Sequence, residues 1–362
     1  MEKKSLAGVL EAPGKMVMKE FPIPEVGPDE GLLKVEMVGI CSTDTKIYQG
    51  KITHYPLPLI MGHEMVGRIA KVGKNAARRW GVQEGDRVIL EASTSCGACV
   101  PCLTGNYRFC ESPLGYGLKT SCDVPPHLWG AYSQYMFITH GSIVLPIKES
   151  VPLKDAALVQ GVLANGVQWI SILGRITVGD SILIQGMGVQ GLGSIVAARE
   201  AGAKEIFISG LSGDRERFAL ARRLGADHVV NIEETDLLSF IKERTGGKGV
   251  DMVMDVTGRP SSIALALQAV RKQGTIVEAG LIGGNVEVPF ALDLMVQKEL
   301  RLQGGRSKGY QATAAALSIV ESGRYPLGEM VTHEYPLTEC AMAIRVAAGE
   351  GGEKPLKVVL RP

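Results

Sequence analysis

The chain lacks any real excess of charge: 39 Lys and Arg face 38 Asp and Glu in 362 residues, a net of +1 at pH 7. That balance excludes broad electrostatic attraction to nucleic acid or to an anionic membrane, and leaves small molecules as the expected partners. The start, Met1-Glu-Lys-Lys-Ser-Leu-Ala-Gly, lacks the apolar core of a signal peptide. No stretch reads as an uninterrupted apolar membrane span, so a soluble cytoplasmic protein with no membrane partner is expected. Internal repeats and low-complexity segments are missing too. The length exceeds what one core comfortably serves, and two domains are expected.

Cysteine, by contrast, is concentrated. Four of the seven cysteines, Cys96, Cys99, Cys102 and Cys110, fall in one short loop with the spacing C-x2-C-x2-C-x7-C. Each short spacer turns the chain enough to aim the next sulfur inward, so the loop suits one tetrahedral zinc. Four sulfurs fill the coordination shell and leave no position for water or substrate, which makes this a structural zinc. The alternative, incidental buried thiols or two disulfides, fits poorly with a chain without an export signal. Chemistry must be sought elsewhere.

From about Gly179 onward short β-branched runs alternate with amphipathic stretches. Strands are expected at Ser181–Ile184, Ile206–Ser209, Val229–Ile232, Val250–Val256 and Thr275–Glu278, with helices over Leu192–Ala201, Arg215–Leu224 and near Ile263–Val270. Strand and helix in this alternation imply an α/β fold with a doubly wound parallel sheet, the architecture of a Rossmann nucleotide-binding domain. Residues 6 to 150 are dense in Gly and Pro, with short strands such as Leu33–Glu36 and Arg87–Leu90, and read as an irregular β-barrel. A helix over Gln311–Ser322, a strand at Val331–Glu334, a helix from Thr338 and a strand at Lys357–Leu360 follow, and this tail is expected to return to the first domain. The expected division is 1–156, 157–303 and 304–362.

Gly186-Met-Gly188-Val189-Gln190-Gly191 matches G-x-G-x-x-G between an expected strand and an expected helix. Gly186 allows the tight turn, Gly188 lets backbone approach a pyrophosphate, and Gly191 lets the helix pack on its strand, while the helix start at Val189 and Gln190 offers free N–H groups. The second strand ends at Gly210, where an NAD-preferring domain usually carries an acid. Arg215 and Arg217 follow and suit a 2′-phosphate, but Asp214 and Glu216 interleave with them, so NAD and NADP stand level.

Gly39-Ile-Cys41-Ser-Thr43-Asp44 and Gly62-His63-Glu64-Met-Val-Gly67 lie in the β-rich half. A thiolate and an imidazole suit a zinc with an open position, although a lone Cys and a lone His are more often core or surface residues. Tyr116, Trp129 and Trp169 read as packing.

These two motifs, the cysteine array and the glycine fingerprint, in this order, resemble the zinc-dependent medium-chain alcohol dehydrogenase family over essentially the whole chain. The resemblance implies a GroES-like catalytic domain built from both chain ends, a Rossmann domain, two zinc ions per chain, NAD or NADP, and a homodimer or homotetramer. It implies Cys41 and His63 as catalytic zinc ligands, Glu64 as a carboxylate that enters the shell, Thr43 as the hydroxyl that takes the substrate proton, and Asp44 as a partner of His63. It places Lys357 near the cofactor phosphates. Two positions depart from the family. Gln160 stands where relatives have a third Cys, Asp or Glu ligand, and a neutral amide is a poor substitute; Glu64 replaces it in the sugar-dehydrogenase branch. Lys46 stands where many relatives carry a proton-relaying His, and reads as a surface lysine. The implied activity is hydride transfer between a primary alcohol, secondary alcohol or polyol and NAD(P), giving an aldehyde or ketone. The rivals are zinc-independent reduction of an activated double bond and a nucleotide sensor without turnover.

Overall fold

The computed structural model describes residues 3–112, 114–283 and 286–362. The chain divides into two compact units: 1–161 with 320–322 and 327–362, and 162–319 with 323–326.

In the second unit, six parallel strands run in the order His228–Asn231, Glu205–Gly210, Ser181–Gln185, Val250–Asp255, Val270–Glu278, Arg301–Gly304. The central three read as near-continuous apolar runs because both faces of a parallel sheet are covered by helices. Val189–Glu200 is one such helix, with eight residues from Gly191 to Ala198 buried. Gly225, at φ +113°, ends the helix Arg215–Arg223 in the left-handed region that glycine tolerates best. The expected strands and helices of this unit are all present, displaced by one to three residues at their ends, except that the strand expected from Thr275 begins five residues earlier, at Val270.

The first unit holds a seven-stranded sheet ordered Val331–Pro336, Lys357–Arg361, Gly31–Gly39, Met65–Val72, Arg87–Leu90, Val144–Pro146, with Tyr135–Ile138 paired to Gly31–Gly39. A separate antiparallel hairpin, Lys4–Ala12 with Lys15–Pro22, carries the short strand Leu59–Ile60 on its other edge. The C-terminal strand lies inside the larger sheet, where Val359 faces Gly39 and Leu360 faces Val38. Tyr116 and Trp129 are core residues: the Tyr116 hydroxyl meets Ser142, and Trp129 Nε1 donates to the Val124 carbonyl.

Two expectations are corrected here. The return to the first unit does not begin at residue 304, because Arg301–Gly304 is the sheet's last strand and the segment after it stays in the cofactor unit. Trp169 Nε1 donates to the Arg306 carbonyl at 2.7 Å, and Gly309 N–H donates to Gln168 Oε1 at 3.1 Å. Second, Leu153–Leu173 is a helix of 21 residues, long and apolar enough by composition to cross a membrane. Its apolar window is 78% buried inside the protein, which marks a core helix. Over Val159–Leu163 and Gln168–Leu173 it widens to i→i+5 turns.

Candidate metal and cofactor sites

Cys96, Cys99, Cys102 and Cys110 bring their sulfurs within 4.8 Å of one another, with Cys96–Cys102 and Cys99–Cys110 both at 3.9 Å. Tetrahedral zinc with bonds of about 2.3 Å requires sulfurs about 3.8 Å apart, so the geometry fits the ion. The charges agree. A hydrogen bond from the Ser95 hydroxyl brings the Cys102 thiol down to about 6. Cys99 is favoured as a thiolate by the backbone N–H groups of Glu111 and Cys102, but burial and the neighbouring sulfurs of Cys102 and Cys96 push it up to about 11. Four thiolates at this spacing need a cation between them. All seven cysteines are free thiols. Tyr107, just before Cys110, donates its hydroxyl to the buried carboxylate of Glu91 and so ties the loop to the end of Arg87–Leu90.

The second cluster is assembled by the larger sheet of the first unit. Cys41 follows the strand Gly31–Gly39 and caps the helix Ser42–Tyr48; His63 and Glu64 precede the strand Met65–Val72, which pairs with Gly31–Gly39. This pairing brings Cys41 and His63, 22 residues apart in sequence, to the same sheet end. Cys41, His63 and Glu64 each offer a ligand atom within 4.8 Å of the others. Asp44 is fully buried; its Oδ2 accepts the Cys41 N–H at 2.9 Å, and its Oδ1 lies 3.3 Å from His63 Nδ1. In the metal-free chain, burial disfavours the charged imidazole, yet the Asp44 charge raises it well above its usual range. Burial and Glu64 push the Cys41 thiol up, but the His63 ring beside it outweighs them and lowers it. A thiolate, an imidazole and a carboxylate are a donor set for zinc with one coordination position left over. Thr43 lies half-buried on the first turn of the helix that Cys41 caps, and Lys46 is half-buried on the next.

Lys357 is a correction. It is 3% exposed, and its ammonium pairs with Glu64, so its neighbour is a carboxylate of the metal cluster. Burial works against the charged amine, and Glu64 more than compensates, raising its pKa above the ordinary value. The signal for this pairing was too long in sequence range to read, since 293 residues separate the two. Glycines at 39 and 161 make room for the pair. A Cβ at Gly39 would fall 2.5 Å from Glu64 Oε2 and 2.7 Å from Lys357 Cε, and one at Gly161 would overlap the Glu64 carboxylate. Gln160, next to Gly161 on a widened helical turn, is buried; its Nε2 approaches Met65 Sδ at 3.8 Å, and its Oε1 has no hydrogen-bond partner among the described residues.

In the second unit, Gly186 follows the strand Ser181–Gln185 at φ +112°, and Gly188 caps the helix Val189–Glu200. A Cβ at Gly191 would overlap the Gly186 carbonyl, while one at Gly188 would meet nothing within 4 Å. The third glycine thus serves packing, and the second opens onto space at a helix N-terminus, the arrangement that receives a pyrophosphate. Gly210 lies against Met187. Arg217 donates to Asp214 Oδ1 at 3.0 Å, Arg215 pairs with Glu234, and Glu233 accepts the Ser212 N–H at 2.7 Å.

Residues 27–149 match the alcohol dehydrogenase GroES-like domain, and residues 190–322 match the zinc-binding dehydrogenase domain. The chain is 36% identical over 98% of its length to a Mycobacterium tuberculosis protein named "Probable alcohol dehydrogenase adh", covering 97% of that protein. It is 32% identical to the erythritol/L-threitol dehydrogenase of Mycolicibacterium smegmatis, over 99% of this chain and 98% of the other. The crystal structure of an alcohol dehydrogenase from Thermotoga maritima superposes with a TM-score of 0.91 at 27% identity, over 99% of both chains. With both zinc-ligand sets and the dinucleotide turn in place, the chain belongs to the zinc-dependent medium-chain alcohol dehydrogenase family, NAD(P)-dependent oxidoreductases that act on CH–OH donors.

Proposed function

We propose that this enzyme oxidises a polyol or another secondary alcohol to a ketone, with Cys41, His63 and Glu64 as the three protein ligands of the catalytic zinc. The observation that carries this reading is the meeting of those three donors within 4.8 Å. Glu64 supplies the anionic ligand that Gln160 does not, and similarity to an erythritol/L-threitol dehydrogenase supports the polyol class.

Zinc, when bound, supplies Lewis-acid polarisation of the substrate hydroxyl. Thr43 Oγ1 receives the hydroxyl proton and passes it outward. Asp44 keeps a proton on His63 Nδ1, leaving Nε2 as the nitrogen free for the metal. The Gly186–Gly191 turn and the helix start at Val189 and Gln190 would hold the pyrophosphate of a dinucleotide, whose nicotinamide would supply the hydride-acceptor chemistry. Gly210 presents no carboxylate to repel a 2′-phosphate, and both nearby arginines already hold acids, so NAD and NADP are discriminated weakly.

A panel of polyols, secondary alcohols and primary alcohols, assayed for NADH and NADPH formation before and after chelation, tests the proposal. Chelator-sensitive turnover of polyols is expected, with kcat/KM for the two cofactors within about tenfold, or ~1.4 kcal/mol. Turnover of no alcohol would defeat it. Free thiols arranged for metal support a reducing compartment such as the cytoplasm. The edge strand Arg301–Gly304, with exposed Leu292, Val296 and Leu302, supports assembly as a homodimer or homotetramer.

A further inference from the structure

Resting on the zinc ligands proposed above, a residue outside both recognised motifs decides how His63 is presented. A histidine offers a metal only the nitrogen that its other partner leaves free. Here the group facing that other nitrogen is Asp44, whose Oδ1 sits 3.3 Å from His63 Nδ1, an ion-pair contact rather than an aligned hydrogen bond in the metal-free chain. A carboxylate can swing about its Cβ–Cγ bond and exchange its two oxygens, so the arrangement holds only if Oδ2 is anchored. One anchor is local, the Cys41 N–H three residues away at 2.9 Å. The other is Tyr132, which arrives from 88 residues along the chain and donates its hydroxyl to Oδ2 at 3.2 Å.

Tyr132 and Asp44 are both fully buried, so water is no alternative partner for either. A buried hydroxyl without a bond costs free energy that Phe at this position would avoid, and its one hydrogen bond among the described residues is to Asp44. The same residue also holds the backbone leading into His63. Its N–H donates to the Met61 carbonyl at 2.9 Å, and the Ala131 N–H donates to the Gly62 carbonyl at 3.0 Å. Its ring lies so close to Gly62 that a Cβ there would fall 2.9 Å from Tyr132 Cε1 and 2.8 Å from its backbone nitrogen. Gly62 itself sits at φ +92°. The glycine of the Gly62-His63-Glu64 motif is therefore shaped by Tyr132 as well as by the turn.

We infer that Tyr132 is a positioning residue of the catalytic metal site, its hydroxyl fixing Asp44 so that His63 Nδ1 is engaged and Nε2 is held toward the zinc. The ring fills volume, which Phe would do equally well; the hydroxyl sets the ligand's direction.

Tyr132→Phe separates the two roles. Zinc release to a chelator is followed in the full-length protein, with the cysteine-loop zinc as an internal reference, and the d–d spectrum is recorded after cobalt replaces the catalytic ion. The variant is expected to release the catalytic zinc about three- to tenfold more readily, below the 10–100-fold usual for losing a direct partner of a ligand. Its cobalt bands shift, kcat falls without a matching rise in cofactor KM, and the metal-free protein melts where wild type does. In an Asp44→Asn background the same substitution adds nothing further. Wild-type zinc retention and spectrum in Tyr132→Phe overturn the inference, as does equal loss of both zincs with a lowered melting temperature of the metal-free protein. A persisting effect in the Asp44→Asn background also overturns it. A wild-type protein holding one zinc per chain strikes instead at the ligand assignment beneath it, so the two failures are told apart.

Discussion

At the scale of single residues, the metal cluster is a contest for Glu64. Its carboxylate is 2% exposed and faces an ammonium on one side and the two other metal donors on the other. Removing one member of a buried pair leaves an uncompensated charge at a cost of about 3–5 kcal/mol. Zinc would compensate the same charge. Lys357→Met is therefore expected to destabilise the metal-free protein strongly and the zinc-loaded protein much less, which urea denaturation with and without chelator measures. Equal losses in both forms would mean that Glu64 does not reach the metal. The motif residues of this site were legible because Cys41, His63 and Glu64 sit in short stretches of fixed spacing. Lys357 and Tyr132 were not, because no local pattern announces a contact made across 293 or 88 residues. Reading Lys357 as a phosphate ligand carried a family role onto a side chain whose neighbour is a carboxylate.

Among the elements, the parallel sheet of the second unit was read well because its period is local: each buried strand is an apolar run with a glycine-ended helix behind it. The helix Leu153–Leu173 was missed since Gly161, Asn165 and Gly166 interrupt its apolar text, and the hairpin Lys4–Pro22 has alternation too irregular to stand out. One pairing within the sheet has a pH signature. Asp255 and Glu278 stand opposite each other on neighbouring strands. Asp255 is fully buried and accepts the Thr257 N–H at 2.7 Å and the Ser262 hydroxyl. Burial first, then the Asp255 charge, pushes Glu278 up to about 8 from an ordinary 4.5. Between those values the folded chain keeps a proton that the unfolded chain has released, so stability falls as pH rises through the window and is level on either side. Glu278→Gln is expected to remove this slope, with the wild-type-minus-variant difference in melting temperature drifting downward from pH 5 toward pH 8. A flat difference would show that the pair shares no proton.

For the whole molecule, the decisive fact is that the catalytic unit is written at both ends of the chain and the cofactor unit in the middle. Leu337, Ile344, Val346, Val358 and Leu360 all belong to the core of the first unit. At about 2 kcal/mol for each large aliphatic side chain buried, these residues contribute roughly 10 kcal/mol, as much as the net stability of an ordinary domain, about 5–15 kcal/mol. The strand Lys357–Arg361 also lies between Val331–Pro336 and Gly31–Gly39, so its loss strips the strand that leads into Cys41 of a neighbour. Residues 162–326, by contrast, keep all six parallel strands and the Gly186–Gly191 turn. A chain stopped after Ser322 is expected to lose the fold of its first unit and with it the Cys41–His63–Glu64 zinc, while the excised segment 162–326 folds and binds NAD(H). Metal stoichiometry on the first and nucleotide titration on the second give the answer, and a truncated chain that still holds the catalytic zinc would show that residues 1–161 build the site without the C-terminal strands.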